Sequence, residues 1–328
     1  MPFSLQGCLA GCGRVDLTCF GMKKLMCENF AMRPLFCFLL LSVFAPSSRT
    51  QAGPAPVFVS THWLAEHLED PGVVVLQVGF NRPEFRLGHI SGARFLWYDW
   101  LAPSTPDAST ELPSLSQADS ILRMLGVSDS SIVVLCFTGG NITTATRMFM
   151  TMDYFGFGGR TCILDGGLEA WKTEKRPLAK GDAVVPRSSL TLHPRQSVVV
   201  DADWVKENLR NPSVTIVDAR DRRFYDGNGG GILRTGHIAG AISLPFSSFV
   251  DSTNRIKDHS AIAKLFSAAG VTTEKRVVVY CHVGQQATVV YAVAKELGFH
   301  AALYDGSFQD WNVRGEEYPV EKPASPAQ

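Results

Sequence analysis

One cysteine of this chain stands where its surroundings would make it reactive. Residues 276–280 (RVVVY) read as a short buried strand, and Cys281 follows at the end of that strand. The next six residues, 282–287, contain one glycine, and the apolar spacing of 288–297 predicts a helix that stops at Gly298. The N–H groups of such a loop converge beside the positive end of a helix. A thiol held there should be a nucleophile near neutral pH.

The elements around this cysteine occur twice in the chain. Several short patterns recur in the same order, which is the sequence signature of a repeat. The paired segments are 59–64 and 200–205, 88–93 and 236–241, and 165–171 and 305–311. We predict a first copy over 56–178 and a second copy over 197–322, joined by a linker at 179–196 and followed by a tail at 323–328.

Each copy alternates short apolar strands with helical patterns. In the second copy the predicted strands are 215–217, 242–244, 277–280 and 301–304, and the predicted helices are 203–209, 260–268 and 288–297. Such alternation indicates an α/β fold, with a mainly parallel sheet flanked by helices on both faces in each copy. Ligands of such sheets collect at the carboxyl ends of strands, which is where Cys281 lies.

Length and composition fit this organisation. The 328 residues are enough for about two domains. Lys+Arg and Asp+Glu both total 31, so nothing in the overall charge favours nucleic acid or an anionic membrane surface. Cys136, Cys162 and Cys281 are an odd number in the part that looks folded, so a disulfide framework is not expected. We predict no metal and no cofactor.

The first 55 residues have the pattern of a leader. A basic start at Met32-Arg33-Pro34 precedes an apolar core at 35–45, and a signal peptidase could cleave near Ala52. The apolar core is too short for a stable membrane span. We interpret the segment as a secretory signal, which predicts export to the periplasm or the medium. An uncleaved anchor and a disordered leader are the alternatives, and without a signal peptide the protein would be cytoplasmic.

The repeated GHI-x-GA, the cysteine in C-x-x-G-x-x-A and the closing DGSFxxW together resemble the tandem-domain rhodaneses, the family of thiosulfate and 3-mercaptopyruvate sulfurtransferases. The resemblance covers residues 56–322. It implies two tandem rhodanese-like domains, of which the second is catalytic. It also implies that Cys281 takes up a sulfane sulfur as a persulfide and passes that sulfur to an acceptor.

The resemblance also implies which residues bind the substrate. In the family an Asp-Ala-Arg sequence places an arginine near the substrate anion, and here it is Asp218-Ala219-Arg220. The planar fork of Arg220 can hold a sulfonate or a carboxylate. A structural ion pair with Asp218 or Asp221 is the alternative. The backbone donors that a persulfide anion needs would come from His282, Val283, Gly284, Gln285, Gln286 and Ala287.

The first copy departs from this pattern. Phe137 stands where the second copy has Cys281, and Gln77-Val78-Gly79 replaces the Asp-Ala-Arg sequence. Cys136 falls one residue earlier, where strand pleating turns its side chain away. We therefore predict that the first copy is not catalytic, and we expect Arg147 near the cleft between the copies.

Two other classes of protein compete with a sulfurtransferase. A cysteine phosphatase uses the same strand, cysteine, loop and helix, but it needs an arginine six residues after the cysteine, where this chain has Ala287. A binding or scaffold protein with an inert cysteine is the alternative from a non-enzyme class. The intact Asp218-Ala219-Arg220 argues against it.

The identity of the sulfur donor is the least determined part of the predicted function. In the family, a loop with two basic residues accompanies thiosulfate and a small Gly-Ser loop accompanies 3-mercaptopyruvate, and residues 282–286 match neither. A protonated His282 would add positive charge, so we predict thiosulfate as the donor, with 3-mercaptopyruvate as the alternative. Cyanide or a thiol is the expected acceptor, and we expect a monomer.

Overall fold

The computed structural model describes residues 55–106, 108–230 and 233–323. The predicted leader, with its apolar core and cleavage site, and most of the predicted tail lie outside the described residues. Within those three ranges, no helix has the length and the apolar character needed to cross a membrane.

The strands of the first copy are β1 Phe58–Val59, β2 Val73–Gly79, β3 Arg94–Trp97, β4 Ile132–Phe137 and β5 Thr161–Leu164. They form a five-stranded parallel sheet in the order β1-β5-β4-β2-β3. The helices are α1 Thr61–His67, α2 Arg82–Leu87, α3 Tyr98–Leu101, α4 Leu115–Met124, α5 Ile142–Tyr154 and α6 Gly167–Thr173, with a 3₁₀ turn at Gly158–Arg160.

The strands of the second copy are β6 Val199–Val200, β7 Val214–Asp218, β8 His237–Ile238, β9 Ile242–Ser243, β10 Arg276–Tyr280, β11 His300–Tyr304 and β12 Val320–Glu321. This copy repeats the sheet of the first, in the order β6-β11-β10-β7-β9, and adds an antiparallel pair of β8 with β12. Its helices are α7 Ala202–Glu207, α8 Arg222–Tyr225, α9 His259–Ala268, α10 Ala287–Glu296 and α11 Ser307–Val313, with 3₁₀ turns at Gln196–Val198 and Phe246–Phe249. The predicted fold class, two α/β copies with mainly parallel sheets, is confirmed.

Helices at matching places in the two copies begin at matching polar caps. The side chains of Ser60 and Asp201 accept the N–H groups that open α1 and α7. Ser114 and Asp258 do the same for α4 and α9. Each cap binds a backbone donor that has no partner inside its own helix, so the repeated cap positions fix repeated helix starts.

A single apolar core joins the two copies. It contains one face of each sheet together with α5 and α10, which pack against each other. Residues 142–153 of α5 are all buried, because this helix packs against the sheet of its own copy and against α10 of the other copy. The outer face of each sheet has a separate core of its own. The shared core brings the carboxyl end of β10, and with it Cys281, against the first copy.

Candidate active site

Cys281 lies directly after β10 and is fully buried. Its backbone N–H donates to Ser307 Oγ (3.2 Å), and its carbonyl accepts the N–H of Phe308 (3.0 Å). Ser307 has φ +52°, a left-handed conformation that the first copy gives to a glycine, Gly167, with φ +56°. A strained serine is therefore kept at the position where its hydroxyl contacts the backbone of the cysteine.

The peptide groups of the Cys281 loop, residues 282–287, are ordered in a consistent way. Every carbonyl oxygen of residues 281–286 accepts a hydrogen bond, whereas none of the N–H groups of 282–287 donates to a protein atom among the described residues. Because the N–H of a trans peptide points opposite its carbonyl, the loop presents six free donors beside Cys281. In chain order the carbonyls accept from Phe308 N–H, Gln309 N–H, Thr110 Oγ1, Arg147 Nη1, Thr288 Oγ1 and Val289 N–H.

Gly284 makes the tight turn of this loop possible. Its φ is +77°, and a Cβ built there would lie 2.6 Å from the carbonyl oxygen of Asp305 and 3.2 Å from Arg147 Nη1. The carbonyl oxygen of Asp305 belongs to the backbone, so it cannot move aside as a flexible side chain would to make room for a methyl group at position 284.

We expect Gly284→Ala to lower the free energy of unfolding by roughly 2–4 kcal/mol, since it adds a steric clash to a strained backbone angle. Urea unfolding measures this change. Gly270→Ala is the matched control, because Gly270 has φ +72° with open space around it and so carries the cost of the backbone angle alone. Equal losses in the two variants would show that the contact with Asp305 does not shape the loop.

Arg220 lies fully buried beside the Cys281 loop, at the carboxyl end of β7. Asp218 binds its Nε at 2.9 Å and its Nη2 at 2.5 Å, and the carbonyl of Gly236 also accepts from Nη2 at 2.7 Å. The centroid of the Phe308 ring lies 4.0 Å from the guanidinium carbon, Cζ, of Arg220. Burial acts to lower the pKa of Arg220, but hydrogen bonding and attraction to Asp218 raise it above its ordinary value.

One nitrogen of Arg220 has no partner among the residues that the structure describes. Nη1 is buried and makes no hydrogen bond with any of them. The structural ion pair that the sequence offered as the alternative for Arg220 is therefore present, and it leaves one donor for another ligand. An unpaired buried donor is costly, so a free Nη1 marks a place where an anion would be stabilised.

His282 has surroundings that disfavour its protonated form. Its ring meets that of Phe224 edge to face, with the centroids 4.4 Å apart. Burial lowers the pKa of His282 below its usual value, and the positive charge of Arg220 lowers it further. His282 is thus neutral near pH 7, and the positive charge that favoured thiosulfate is absent there.

The first copy reaches the Cys281 loop through polar side chains. Arg147, expected near the cleft between the copies, is fully buried there and forms an ion pair with Asp305. Thr143 Oγ1 accepts from the side chain of Gln285 at 3.0 Å. Thr110 binds the carbonyl of Val283 through its hydroxyl. Sequence reasoning found Arg147 but missed Thr110 and Asp305, because no periodicity or motif signals a contact between the two copies.

Tyr98 is a further side chain of the first copy that sequence reasoning missed. It is 4% exposed, and its hydroxyl has no hydrogen-bond partner within the described part of the chain. Burial raises the pKa of Tyr98, so the phenol stays protonated at neutral pH. The phenol, like Arg220 Nη1, is therefore a buried donor for which the described residues supply no acceptor.

The corresponding position in the first copy has no comparable chemistry. Phe137 ends β4 inside the shared core, whereas Cys136 points to the opposite face of the sheet, as predicted. Burial raises the pKa of Cys136 far above its ordinary value and that of Cys162 to about 12. These two thiols are therefore protonated and inert at neutral pH.

The comparisons with known proteins agree with this geometry. A family model described as "Rhodanese-like domain" matches residues 60–174 and again residues 201–314. Among curated proteins, the chain is 30% identical over 284 residues to the sulfur carrier protein TtuD of Thermus thermophilus, covering 80% of this chain and 98% of that protein.

Two other relatives are named as enzymes. A 3-mercaptopyruvate sulfurtransferase of Escherichia coli is 28% identical over 280 residues, covering 80% of this chain and 97% of the relative. A putative thiosulfate sulfurtransferase of Mycolicibacterium smegmatis is 28% identical over 269 residues, covering 78% and 94%.

Solved structures show the same fold. SseA from Escherichia coli, a 3-mercaptopyruvate sulfotransferase, matches with a TM-score of 0.67 and 27% identity, over 77% of this chain and 99% of that one. A complex of EanB with ergothioneine matches with a TM-score of 0.72 over 82% of this chain and 71% of that one. At 21% identity, the second match concerns the fold alone.

Proposed function

Since this chain belongs to the family of rhodanese-like sulfurtransferases, we propose that Cys281 accepts a sulfane sulfur from thiosulfate and passes it, as a persulfide, to a thiophilic acceptor such as cyanide. The observation that carries this proposal is the set of six free N–H groups of the Cys281 loop beside a buried thiol. A persulfide anion needs donors that are already oriented, and a buried site makes each of them more effective than it would be in water. His282, Val283, Gly284, Gln285, Gln286 and Ala287 supply these donors.

The transfer takes place in two balanced steps. The Cys281 thiolate attacks the outer sulfur of thiosulfate, the S–S bond of thiosulfate breaks, and sulfite leaves with the electron pair. Cyanide then attacks the terminal sulfur of the persulfide, thiocyanate leaves, and the thiolate returns. Arg220 Nη1 binds the sulfonate oxygens of the donor, because it is a buried cation with a free N–H. These two steps require no cofactor and no outside oxidant.

A second donor, 3-mercaptopyruvate, is favoured by one observation. His282 is neutral near pH 7, because burial and Arg220 lower its pKa. With His282 uncharged, we propose that the positive group facing the donor is the guanidinium of Arg220, through Nη1. This single cation can pair with the single carboxylate of 3-mercaptopyruvate. The names of the relatives include both donors.

The pH dependence of donor use tests the role of His282. A protonated His282 would strengthen thiosulfate binding as the pH falls through its ordinary value of 6.5. Because its pKa is lowered, we expect the KM for thiosulfate to stay constant within about twofold from pH 8 to pH 6.5, and His282→Gln to behave alike. A KM that falls severalfold over this range, only in the unmodified protein, would show that the charge of His282 binds the donor.

A cyanolysis assay with each donor tests the proposed activity itself. We expect thiocyanate from thiosulfate, and a higher kcat/KM with 3-mercaptopyruvate would make that compound the donor. If no thiocyanate forms from either donor, and Cys281→Ser behaves identically, the protein is a binding or scaffold protein with an inert cysteine.

A further inference from the structure

Two carbonyls of the Cys281 loop are held by the copy that lacks a catalytic cysteine. The hydroxyl of Thr110 donates to the carbonyl of Val283, and Arg147 Nη1 donates to that of Gly284 at 3.3 Å. The other four carbonyls of residues 281–286 accept from donors within the second copy. The first copy therefore controls the orientation of two neighbouring peptide groups.

Thr110 is placed for this contact at an energetic cost. It is 6% exposed and has φ +57°, a left-handed conformation that is strained for a β-branched residue. Its own N–H donates to Ser104 Oγ at 3.1 Å, which helps to hold the segment in place.

The repeat explains the backbone of Thr110 but not its hydroxyl. Asn254, 144 residues later, has φ +59° and lies opposite Gly140 in the loop of the first copy. Each copy thus presents a residue with a left-handed backbone conformation to the loop of the other copy. Thr110 faces the loop with a cysteine, and its side chain is a hydroxyl that donates to the backbone of that loop.

Arg147 is a fixed and fully charged donor. Both of its Nη atoms contact the carboxylate of Asp305, and its side chain is fully buried. Burial acts to lower the pKa of Arg147, but attraction and hydrogen bonding to Asp305 raise it. The repeat does not account for it, because the residue 144 positions later is Tyr291, whose hydroxyl binds Asp153 instead.

We propose that Thr110 and Arg147 are positioning residues through which the first copy orients the donors of the second. By binding the carbonyls of Val283 and Gly284, they turn the N–H groups of Gly284 and Gln285 toward the sulfur of Cys281, because each N–H points opposite the carbonyl of its own peptide group. This inference rests on the proposed function of the Cys281 loop. It gives the copy without a catalytic cysteine a direct part in sulfur transfer.

The alkylation of Cys281 by iodoacetamide tests this orientation without requiring sulfur transfer. Donors aimed at the sulfur stabilise the thiolate, so they raise the rate at pH 7 relative to the rate at pH 10. Access to the buried thiol affects both rates and cancels in their ratio. We expect Thr110→Val to lower the pH 7 to pH 10 ratio about tenfold, since it removes the hydroxyl that fixes one donor.

Two further variants complete the test. Thr110→Ser keeps the hydroxyl and should restore the ratio to within about twofold of the unmodified protein. Thr151→Val is the matched control, because Thr151 is another buried threonine of the first copy whose hydroxyl donates to a carbonyl, that of Leu101 at 3.3 Å. We expect it to leave the ratio unchanged.

Kinetics separates the positioning of loop donors from a loss of donor binding. Thr110→Val should lower kcat about tenfold while the KM for thiosulfate changes less than about twofold. Arg147→Lys serves as a second variant if Thr110→Val does not fold, because an ammonium group can pair with Asp305 but lacks the fork that also reaches Gly284. Arg147→Lys should also lower the ratio of the alkylation rates at pH 7 and pH 10.

Two results would overturn the inference. One is an unchanged alkylation ratio in folded Thr110→Val. The other is an equal fall of the ratio in Thr151→Val, which would mean that the ratio reports general loosening of the first copy. Absence of thiocyanate from the unmodified protein would instead refute the proposed function, and the alkylation ratios would still report on the orientation of the loop.

Discussion

Cys281→Ser is expected to lower the rate of thiocyanate formation by at least about a thousandfold, because a serine hydroxyl cannot form a persulfide. Mass spectrometry should find one added sulfur on the unmodified protein after incubation with thiosulfate, and none on the variant. The substitution is nearly isosteric at a fully buried site, so the fold should be retained. Circular dichroism and urea unfolding check this.

Two other cysteines provide controls for this result. Cys136→Ala and Cys162→Ala should keep the rate of the unmodified protein, because burial raises the pKa of both thiols and leaves them protonated. Turnover by Cys281→Ser at the normal rate would rule out the persulfide mechanism. An added sulfur on Cys136 or Cys162 would move the reaction to another residue.

Arg220→Gln is expected to have two separate effects. The first is a loss of stability of about 3–5 kcal/mol, because Asp218 is fully buried and would lose the cation that neutralises it. The second is a fall in kcat/KM for thiosulfate of at least about a hundredfold, because the free N–H proposed to bind the donor is removed. Arg220→Lys should not restore activity, since an ammonium group cannot bind Asp218 through two nitrogens and still reach the donor.

The two effects can be measured independently. Adding Asp218→Asn to Arg220→Gln removes the uncompensated buried charge, so the double variant should regain most of the stability without regaining activity. Arg222→Gln is the surface control, because its ion pair with Asp226 is exposed and worth at most about 1 kcal/mol. If the double variant recovers both stability and kcat/KM, Arg220 has a structural role only.

The strands and helices of the second copy could be predicted where the apolar residues recur at a clear spacing along the chain. The predicted strand 277–280 and helix 260–268 agree with β10 and α9 to within one residue at each end. The helix α8 and the pairing of β8 with β12 were not predicted, because segments of two to four residues are too short to show a period. Alternation of apolar strands and helices was enough for the fold class.

The candidate site could be predicted only where it follows from local sequence. Cys281 and Arg220 each follow a predicted strand, so the carboxyl edge of the sheet brings them together. The contact of Thr110 with Val283 joins residues 173 positions apart, and a threonine gives no sequence signal of a left-handed backbone. The surroundings of His282 were not predicted for a related reason, because its burial depends on Phe224 and on the fold around it.

The shared core of α5 and α10 also bears on how such a tandem protein can evolve. When two duplicated copies cover each other's apolar helices, deleting either one exposes that surface to water at roughly 25 cal/mol per Å². The copy that lacks the catalytic cysteine can therefore be retained by selection for solubility alone. Its sequence is then free to change wherever it touches neither the core nor the Cys281 loop.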